Sequence, residues 1–367
     1  MGIKSHKGKQ PNQKLKPYLV LQYLLKYSDE NHTVSAPELV GYLQEECGIY
    51  AERRSIYSDI EEINKAMLII EEEITAEEAE EMLAEEDADR YVVYDKSKKG
   101  FYVRQRHYTF DDIRLLAEAI YSAKFLTEKQ SQNLVDVVCD FVSEYQAETI
   151  KHDAFLTDRV RTINKSVIFN LSNISAAMSK EQEGKRHIPE KITFKYLKYS
   201  ISDLSKQAER RGGAKYTVSP YALLINDGNY YLLAFDDYSQ DLRTYRVDRM
   251  KDVRPTGEKR EGAAAFTAID LKTYTQRVFG MFGGKQESVQ MRFINPLLDA
   301  VVDRFGTKGI IYSKVDDTHF SVIAPVEVSE HFFSWICQFG KKAKIMMPES
   351  VVNQFTEYLD KIRSIYN

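Results

Sequence analysis

The chain is 367 residues long, too long for one ordinary core and suited to about two to four domains. Its composition, 43% hydrophobic and 29% charged, is that of a soluble globular protein, and no apolar run approaches the ~20 residues of a membrane span. The start Met-Gly-Ile-Lys-Ser-His-Lys lacks a signal-peptide core, so a cytoplasmic location with no membrane partner is expected. Three scattered cysteines, Cys47, Cys139 and Cys337, argue against a disulfide framework or a thiolate metal site and fit a reducing compartment. A net charge of only −4 says nothing about nucleic acid, but its distribution does. Lys4, Lys7, Lys9, Lys14 and Lys16 stand in an acid-free start, whereas Glu71 to Asp89 is acidic throughout and carries no base.

Pro17 opens a helix with apolar positions Tyr18, Leu21, Leu24 and Leu25. Ser35-Ala-Pro-Glu38 is a capping box for a second helix that buries Leu39, Val40 and Leu43. A third begins around Glu52 or Arg53, with Ile56, Ile60, Ile63 and Met67 on one stripe. Arg54, Tyr57, Ser58 and Glu61 fall on the opposite side, with Arg53 near the flank. This pattern predicts a helix-turn-helix whose third helix enters the major groove, using its early residues on bases and its hydroxyls, Ser55 and Ser58, on phosphates. The blander alternative is a helical bundle with an ordinary solvated face. Thr75 to Ala88 is expected to be a helical, solvated spacer, with a DNA mimic as the alternative reading. Tyr91 to Tyr94 and Phe101 to Arg104 flank a lysine-rich tip, a hairpin that would serve as the wing, with Lys96, Lys98 and Lys99 along a phosphate backbone.

From Thr109 the pattern is helical, with Ile113, Leu116, Ala117 and Ile120 on one face and Leu134, Val138, Phe141 and Tyr145 on another. Phe155 to Ile163 is a less regular connection, and Val167 to Met178 is a further helix. These segments form a connector suited to a dimer interface. A β-rich section follows: Ile192 to Leu197, a polar loop with Lys206, Arg210 and Arg211, Lys215 to Ile225, an Asp227-Gly228 turn, and the hairpin Gly228 to Met250. Five strands ending near Val253 would make a small barrel closed by Pro255 and Gly257. Arg243, Arg246 and Arg249 on that hairpin are expensive to bury without an anion, either a neighbouring aspartate or a ligand. After a linker, strands and helices from Val289 to Ile362 read as βαββαβα, with Phe332, Trp335 and Phe339 against the sheet.

Ser219-Pro-Tyr221, Gly228-Asn-Tyr-Tyr-Leu232 and Arg243-Thr-Tyr-Arg-Val-Asp-Arg-Met250 resemble the WYL domain, with Tyr230 standing where the family has tryptophan. Arg53-Arg-Ser-Ile-Tyr-Ser-Asp-Ile60 resembles the recognition helix of the winged helix-turn-helix that usually precedes it, with Ser58 where an arginine commonly follows Ile-Tyr. Phe320 to Leu359 resembles the C-terminal extension of these bacterial transcriptional regulators. The resemblance implies a multidomain α+β protein: a winged helix-turn-helix at 1–107 with an acidic insert at 71–89, a helical connector at 108–185 and an Sm-like or SH3-like WYL β-barrel at 186–260. A linker at 261–285 and a ferredoxin-like βαββαβα domain at 286–367 complete it.

The function so implied is a homodimeric, ligand-responsive DNA-binding repressor that binds a double-stranded operator and senses a nucleotide or oligonucleotide-like polyanion, with no cofactor. Its DNA contacts would be Arg53, Arg54, Ser55, Tyr57, Ser58, Lys96, Lys98 and Lys99. Its ligand contacts would be Ser219, Tyr221, Tyr231, Arg243, Tyr245, Arg246 and Arg249. Two other readings stay open. A nucleotide-processing enzyme would need a positioned acid, base, nucleophile or metal cluster, and the sequence shows none. A non-sensing scaffold would pair its barrel arginines with Asp236, Asp237, Asp241 and Asp248.

Overall fold

The computed structural model describes residues 11–85, 88–104, 106–153, 161–182, 184–269, 271, 274, 278, 281 and 284–367. Lys4, Lys7, Lys9 and most of the connection after Phe155 lie outside them. The chain folds as two compact units, Met1–Ala123 with Glu128–Val160 and Lys124–Thr127 with Arg161–Asn367.

In the first unit, helices α1 (Lys16–Tyr27), α2 (Ala36–Gly41) and α3 (Arg53–Glu72) enclose one core with the hairpin β1 (Val92–Asp95) and β2 (Gly100–Val103). Ile56, Ile60 and Ile63 of α3 are buried as their spacing predicts, each contributing about 1.5–3 kcal/mol. On α1 the buried positions are Val20 and Leu24, while Tyr18, expected inside, is 63% exposed. The reason is the Lys16–Asp59 ion pair at 3.1 Å, which ties the start of α1 to α3. Ser35 caps α2 by accepting from the Glu38 N–H, but the Glu38 carboxylate turns instead to the Tyr23 hydroxyl.

The acidic segment is more than a solvated spacer. Helix α4 (Ala76–Leu83), closed by a Thr75–Glu78 capping box, buries Ala79 and Leu83, and its Glu80 pairs with Lys65 of α3 at 2.7 Å. The connector helices α5 (Phe110–Ser122), α6 (Glu128–Cys139) and α7 (Glu144–Asp153) form their own core of Ile113, Ala117, Val135, Cys139, Val142 and Ile150. The expected faces are displaced: Leu116, Leu134, Phe141 and Tyr145 are exposed. Polar anchors hold this register, since the Ser143 hydroxyl donates to buried Asp29, and Arg106 donates to the Leu25 and Ser28 carbonyls at 2.7 and 2.9 Å.

In the second unit, helix α8 (Val167–Met178) and a short ribbon, β3 (Glu181–Gln182) with β4 (Lys185–Arg186), precede six further strands. These are β5 (Glu190–Ser200), β6 (Asp203–Glu209), β7 (Tyr216–Asn226), β8 (Asn229–Asp236), β9 (Asp241–Arg246) and β10 (Met250–Lys259). They form an antiparallel sheet in the order β10-β5-β7-β8-β9, with β6 also on β5. Three features depart from the expected five-stranded barrel. The polar loop supplies an extra strand, β10 continues through Pro255 and Gly257, and β9 does not pair with β10 among the described ladders. The Asp227-Gly228 turn adopts positive φ at both residues (48° and 71°), as a tight hairpin requires.

Each face of this sheet carries a core that the chain order had assigned elsewhere. Helix α8, read as connector, buries Val167, Ile174 and Ala177 against Phe194, Val218, Leu232 and Tyr245. Asn164, Asn170 and Asn173 donate to the Met250 and Val253 carbonyls at 2.8–2.9 Å, satisfying a strand edge. The other face meets Phe266, Ile269, Leu271, Tyr274, Val278 and Met281, so the expected linker is a packed layer around Leu233.

The last domain follows the expected order: β11 (Lys285–Ile294), α10 (Leu298–Phe305), β12 (Ile311–Lys314), β13 (His319–Val328), α11 (Glu330–Cys337), β14 (Ala343–Met347) and α12 (Glu349–Arg363). Its strands pair antiparallel as β12-β13-β11-β14, the split βαβ arrangement, and Phe332, Trp335 and Phe339 pack on the sheet.

Candidate functional site

The first turn of α3 sets the geometry of the reading surface. Glu52 and Ser55 form a reciprocal capping box, the Ser55 hydroxyl donating to the Glu52 carbonyl at 2.8 Å. Ser55 is therefore committed to holding the helix start and is withdrawn as a phosphate contact. Arg53, Arg54 and Ser58 are exposed, and neither arginine has an ion-pair partner among the described residues. Tyr57 is 37% exposed and packs edge-on against Phe101 at 5.1 Å, with Tyr94 at 6.1 Å, joining the helix to the hairpin.

Three contacts fix that hairpin beside α3. Buried Asn64 acts as a strand partner: its amide donates to the Val92 carbonyl at 3.1 Å and accepts from the Val92 N–H at 2.7 Å. Val34 pairs with Phe101 through both backbone bonds. A Cβ on Gly100 would come within 2.6 Å of the Thr33 hydroxyl, so only glycine allows that approach. At the tip Lys96 and Lys99 are exposed, but the Lys98 ammonium donates to the Glu30 and Asn31 carbonyls at 2.8 and 3.1 Å. Lys98 thus acts as a brace, and two of the three expected phosphate lysines remain available.

In the second unit, the seven expected ligand residues do not share one surface. Ser219 is buried, its hydroxyl accepting from the Glu261 N–H at 2.8 Å. The Tyr221 hydroxyl donates to the Glu261 carbonyl at 2.6 Å, and its ring stacks on Phe266 with centroids 4.5 Å apart. Tyr245 lies in the core with Phe194, Tyr196 and Tyr216, and its hydroxyl donates to Asp236. Burial and the Asp236 carboxylate push that phenol well up, so it stays protonated. Tyr245 is therefore a core residue.

Arg246 pairs in bidentate fashion with Asp248 at 3.0 and 2.9 Å and donates to Asn229 at 2.7 Å. Burial lowers its pKa, but the bonds and charge of Asp248 outweigh this and raise it, so the guanidinium is held charged and in place. Tyr231, its cross-strand partner, is partly buried. Exposed Arg243 and partly exposed Arg249 have no ion-pair partner among the described residues. The scaffold reading thus holds for one arginine in three, because Asp237 pairs with Lys191 and Asp236 serves Tyr245 and Ser239.

Sequence reasoning left Arg210 and Arg211 in a polar loop. The structure places Arg210 over Tyr196 at 5.4 Å, and Arg211 over Tyr216 at 4.7 Å and Tyr238 at 5.3 Å. The signal was Arg-Arg-Gly-Gly, where Arg211 and Gly212 take positive φ and turn the cations back onto the sheet. Arg210 and Arg249 both bear electrostatically on the Tyr196 phenol. Cations and aromatic rings so interleaved can hold phosphates and stack bases.

The WYL domain family model matches residues 190–255, so this part of the chain is a WYL domain. The chain is similar to proteasome accessory factor B/C (PafBC) of Arthrobacter aurescens at 12% identity and a TM-score of 0.26, covering 98% of this chain and 50% of that one. It therefore spans about half the length of that protein. It is also similar to a CRISPR Cas-related protein at 12% identity and a TM-score of 0.32, covering 98% of this chain and 92% of that one. At these TM-scores neither likeness bears on fold or function. Among the described residues, no helix is long and apolar enough to cross a membrane.

Proposed function

We propose that the chain is a ligand-responsive DNA-binding transcriptional regulator whose WYL domain receives a nucleotide or nucleic-acid-like polyanion. The observation that carries this reading is the pair Arg53 and Arg54, exposed and without ion-pair partners on the first turn of a helix whose neighbouring hairpin is pinned by Asn64. An arginine pair there suits base edges in the major groove, and Lys96 and Lys99 suit the flanking phosphates. In the WYL domain, Arg210, Arg211, Arg243 and Arg249 leave positive charge uncompensated by ion pairs, which favours an anionic effector.

Repression by a homodimer on a palindromic operator is the form of regulation that fits. The exposed apolar residues Leu115, Leu116, Leu134 and Val137 on α5 and α6 offer a surface for a second copy. A polyanion favouring one dimer geometry would change the spacing of two recognition helices and so the affinity for the operator.

The test is binding of the purified protein to the DNA immediately upstream of its own gene. Arg54→Ala is expected to weaken specific binding by ~1–3 kcal/mol at fixed salt. An unchanged affinity and footprint would remove α3 from the interface. Replacing Arg243 and Arg249 by alanine together is expected to preserve operator binding and abolish release by an oligonucleotide. Retained release would take both arginines out of the effector site.

A further inference from the structure

Segment Arg260 to Phe266 lies on the two serine and tyrosine positions, Ser219 and Tyr221, that the sequence assigned to a ligand. Glu261 supplies both backbone groups, its N–H to the Ser219 hydroxyl at 2.8 Å and its carbonyl to the Tyr221 hydroxyl at 2.6 Å. Phe266 stacks on the Tyr221 ring at 4.5 Å with an interplanar angle of 22°, and the Arg260 guanidinium lies 4.5 Å from the same ring centroid. A ring lying nearly parallel to another at this distance, beside a guanidinium, is the arrangement by which proteins hold a base next to its phosphate.

We propose that the Arg260–Phe266 turn is an internal occupant of a base-stacking platform on Tyr221, with Phe266 in the place of a nucleobase, and that the effector binds by displacing it. This rests on the polyanion reading of the WYL domain and adds to it where a base stacks and what it competes with.

Three features make the turn displaceable. Its short helix α9 (Ala263–Thr267) buries no residue, so lifting it exposes little apolar surface. Its seat depends on Gly262 at φ +80°, where a Cβ would fall 2.2 Å from the Phe235 ring, so the close fit tolerates no side chain. The Glu261 carboxylate also shares Lys191 with Asp237, at 3.3 Å against 2.8 Å. Lifting Glu261 leaves Lys191 with one carboxylate and frees Arg260 to meet a phosphate.

The test uses the full chain and a fluorescein-labelled thymidine pentanucleotide followed by anisotropy. Phe266→Ala removes the competitor and is expected to tighten probe binding about two- to tenfold, the worth of one aromatic stack. Gly262→Ala, which unseats the turn without touching Tyr221, is expected to act in the same direction. Tyr221→Leu is expected to weaken binding and to cancel the gain from Phe266→Ala. Exchange of the Glu261 amide hydrogen should accelerate when the probe is added to the unmutated protein.

Unchanged or weaker binding in both turn variants, or slower exchange at Glu261, overturns the competition. If Arg243→Ala and Arg249→Ala still weaken probe binding in that case, the polyanion reading stands without it. Absence of probe binding by every variant removes both.

Discussion

Arg54 on α3 and Arg246 on β9 are both arginines on regular elements of a protein read as binding polyanions, yet their surroundings are opposite. Arg54 is exposed with no ion-pair partner among the described residues, whereas Arg246 is locked between Asp248 and Asn229. The same contrast recurs in the lysines, where Lys96 and Lys99 are exposed on the hairpin tip while Lys98 holds two backbone carbonyls. A cation's availability depends on what lies within ~3 Å of it, and cations within a few residues of one another can differ completely in that respect.

The contrast breaks most visibly if the held groups prove dispensable. Asp248→Ala leaves the largely buried Arg246 guanidinium without its carboxylate and is expected to cost about 3 kcal/mol in chemical denaturation. A loss below ~0.5 kcal/mol would place Arg246 among the available cations. Asn64→Ala removes both bonds to Val92, and about 2 kcal/mol of stability is expected to go with them. Operator affinity should fall too, because the hairpin loses its register beside α3. Full affinity in a destabilised Asn64→Ala protein would show that the hairpin does not contact DNA.

A smaller effect is expected from pH. Burial raises the Asp236 pKa, but hydrogen bonds from Tyr245 and Ser239 outweigh it and hold the carboxyl below the usual aspartate range. Its folded pKa is thus depressed, so its stabilisation is present above the ordinary aspartate value and is lost as pH falls below about 4. Tyr245 is the reverse: its raised pKa gives stability that is present below the ordinary tyrosine range and disappears as pH rises beyond about 10. Tyr245→Phe should flatten both limbs of the stability curve measured by urea titration, and an unaltered acid limb would disprove the Asp236 coupling. The smallest effect separates the lysines. Lys96→Ala and Lys99→Ala should each reduce the salt dependence of operator binding by about one unit of log–log slope, while Lys98→Ala leaves the slope and loosens the hairpin.

Much of this was legible in the sequence. The stripe Ile56, Ile60, Ile63, the Asp227-Gly228 turn and the βαββαβα order all appear as expected, because each depends on local periodicity or on a backbone conformation that few residues allow. The connector faces were misread for a related reason. Its helices are apolar on several sides, with Leu115, Leu134, Val137 and Phe141 exposed and Val135 and Cys139 buried, so periodicity could not choose among faces. The acidic helix was taken for a solvated spacer because its apolar positions are few, although Ala79 and Leu83 suffice to dock it on α3.

The candidate sites divide along the same line. The sequence by itself determined that Arg54 and Ser58 face away from the α3 stripe, that Tyr245 and Val247 share a strand face, and that a WYL domain lies at 190–255. These are questions of helix and strand periodicity, and side-chain direction follows the backbone. Only the tertiary structure decided which polar groups were already engaged. Ser55 is bound by the helix start, Lys98 by Glu30 and Asn31, Arg246 by Asp248 and Asn229, and Tyr221 by Glu261 and Phe266. The last of these joins residues about 40 positions apart, a proximity that arises from packing of the chain on the sheet and leaves no trace in local pattern.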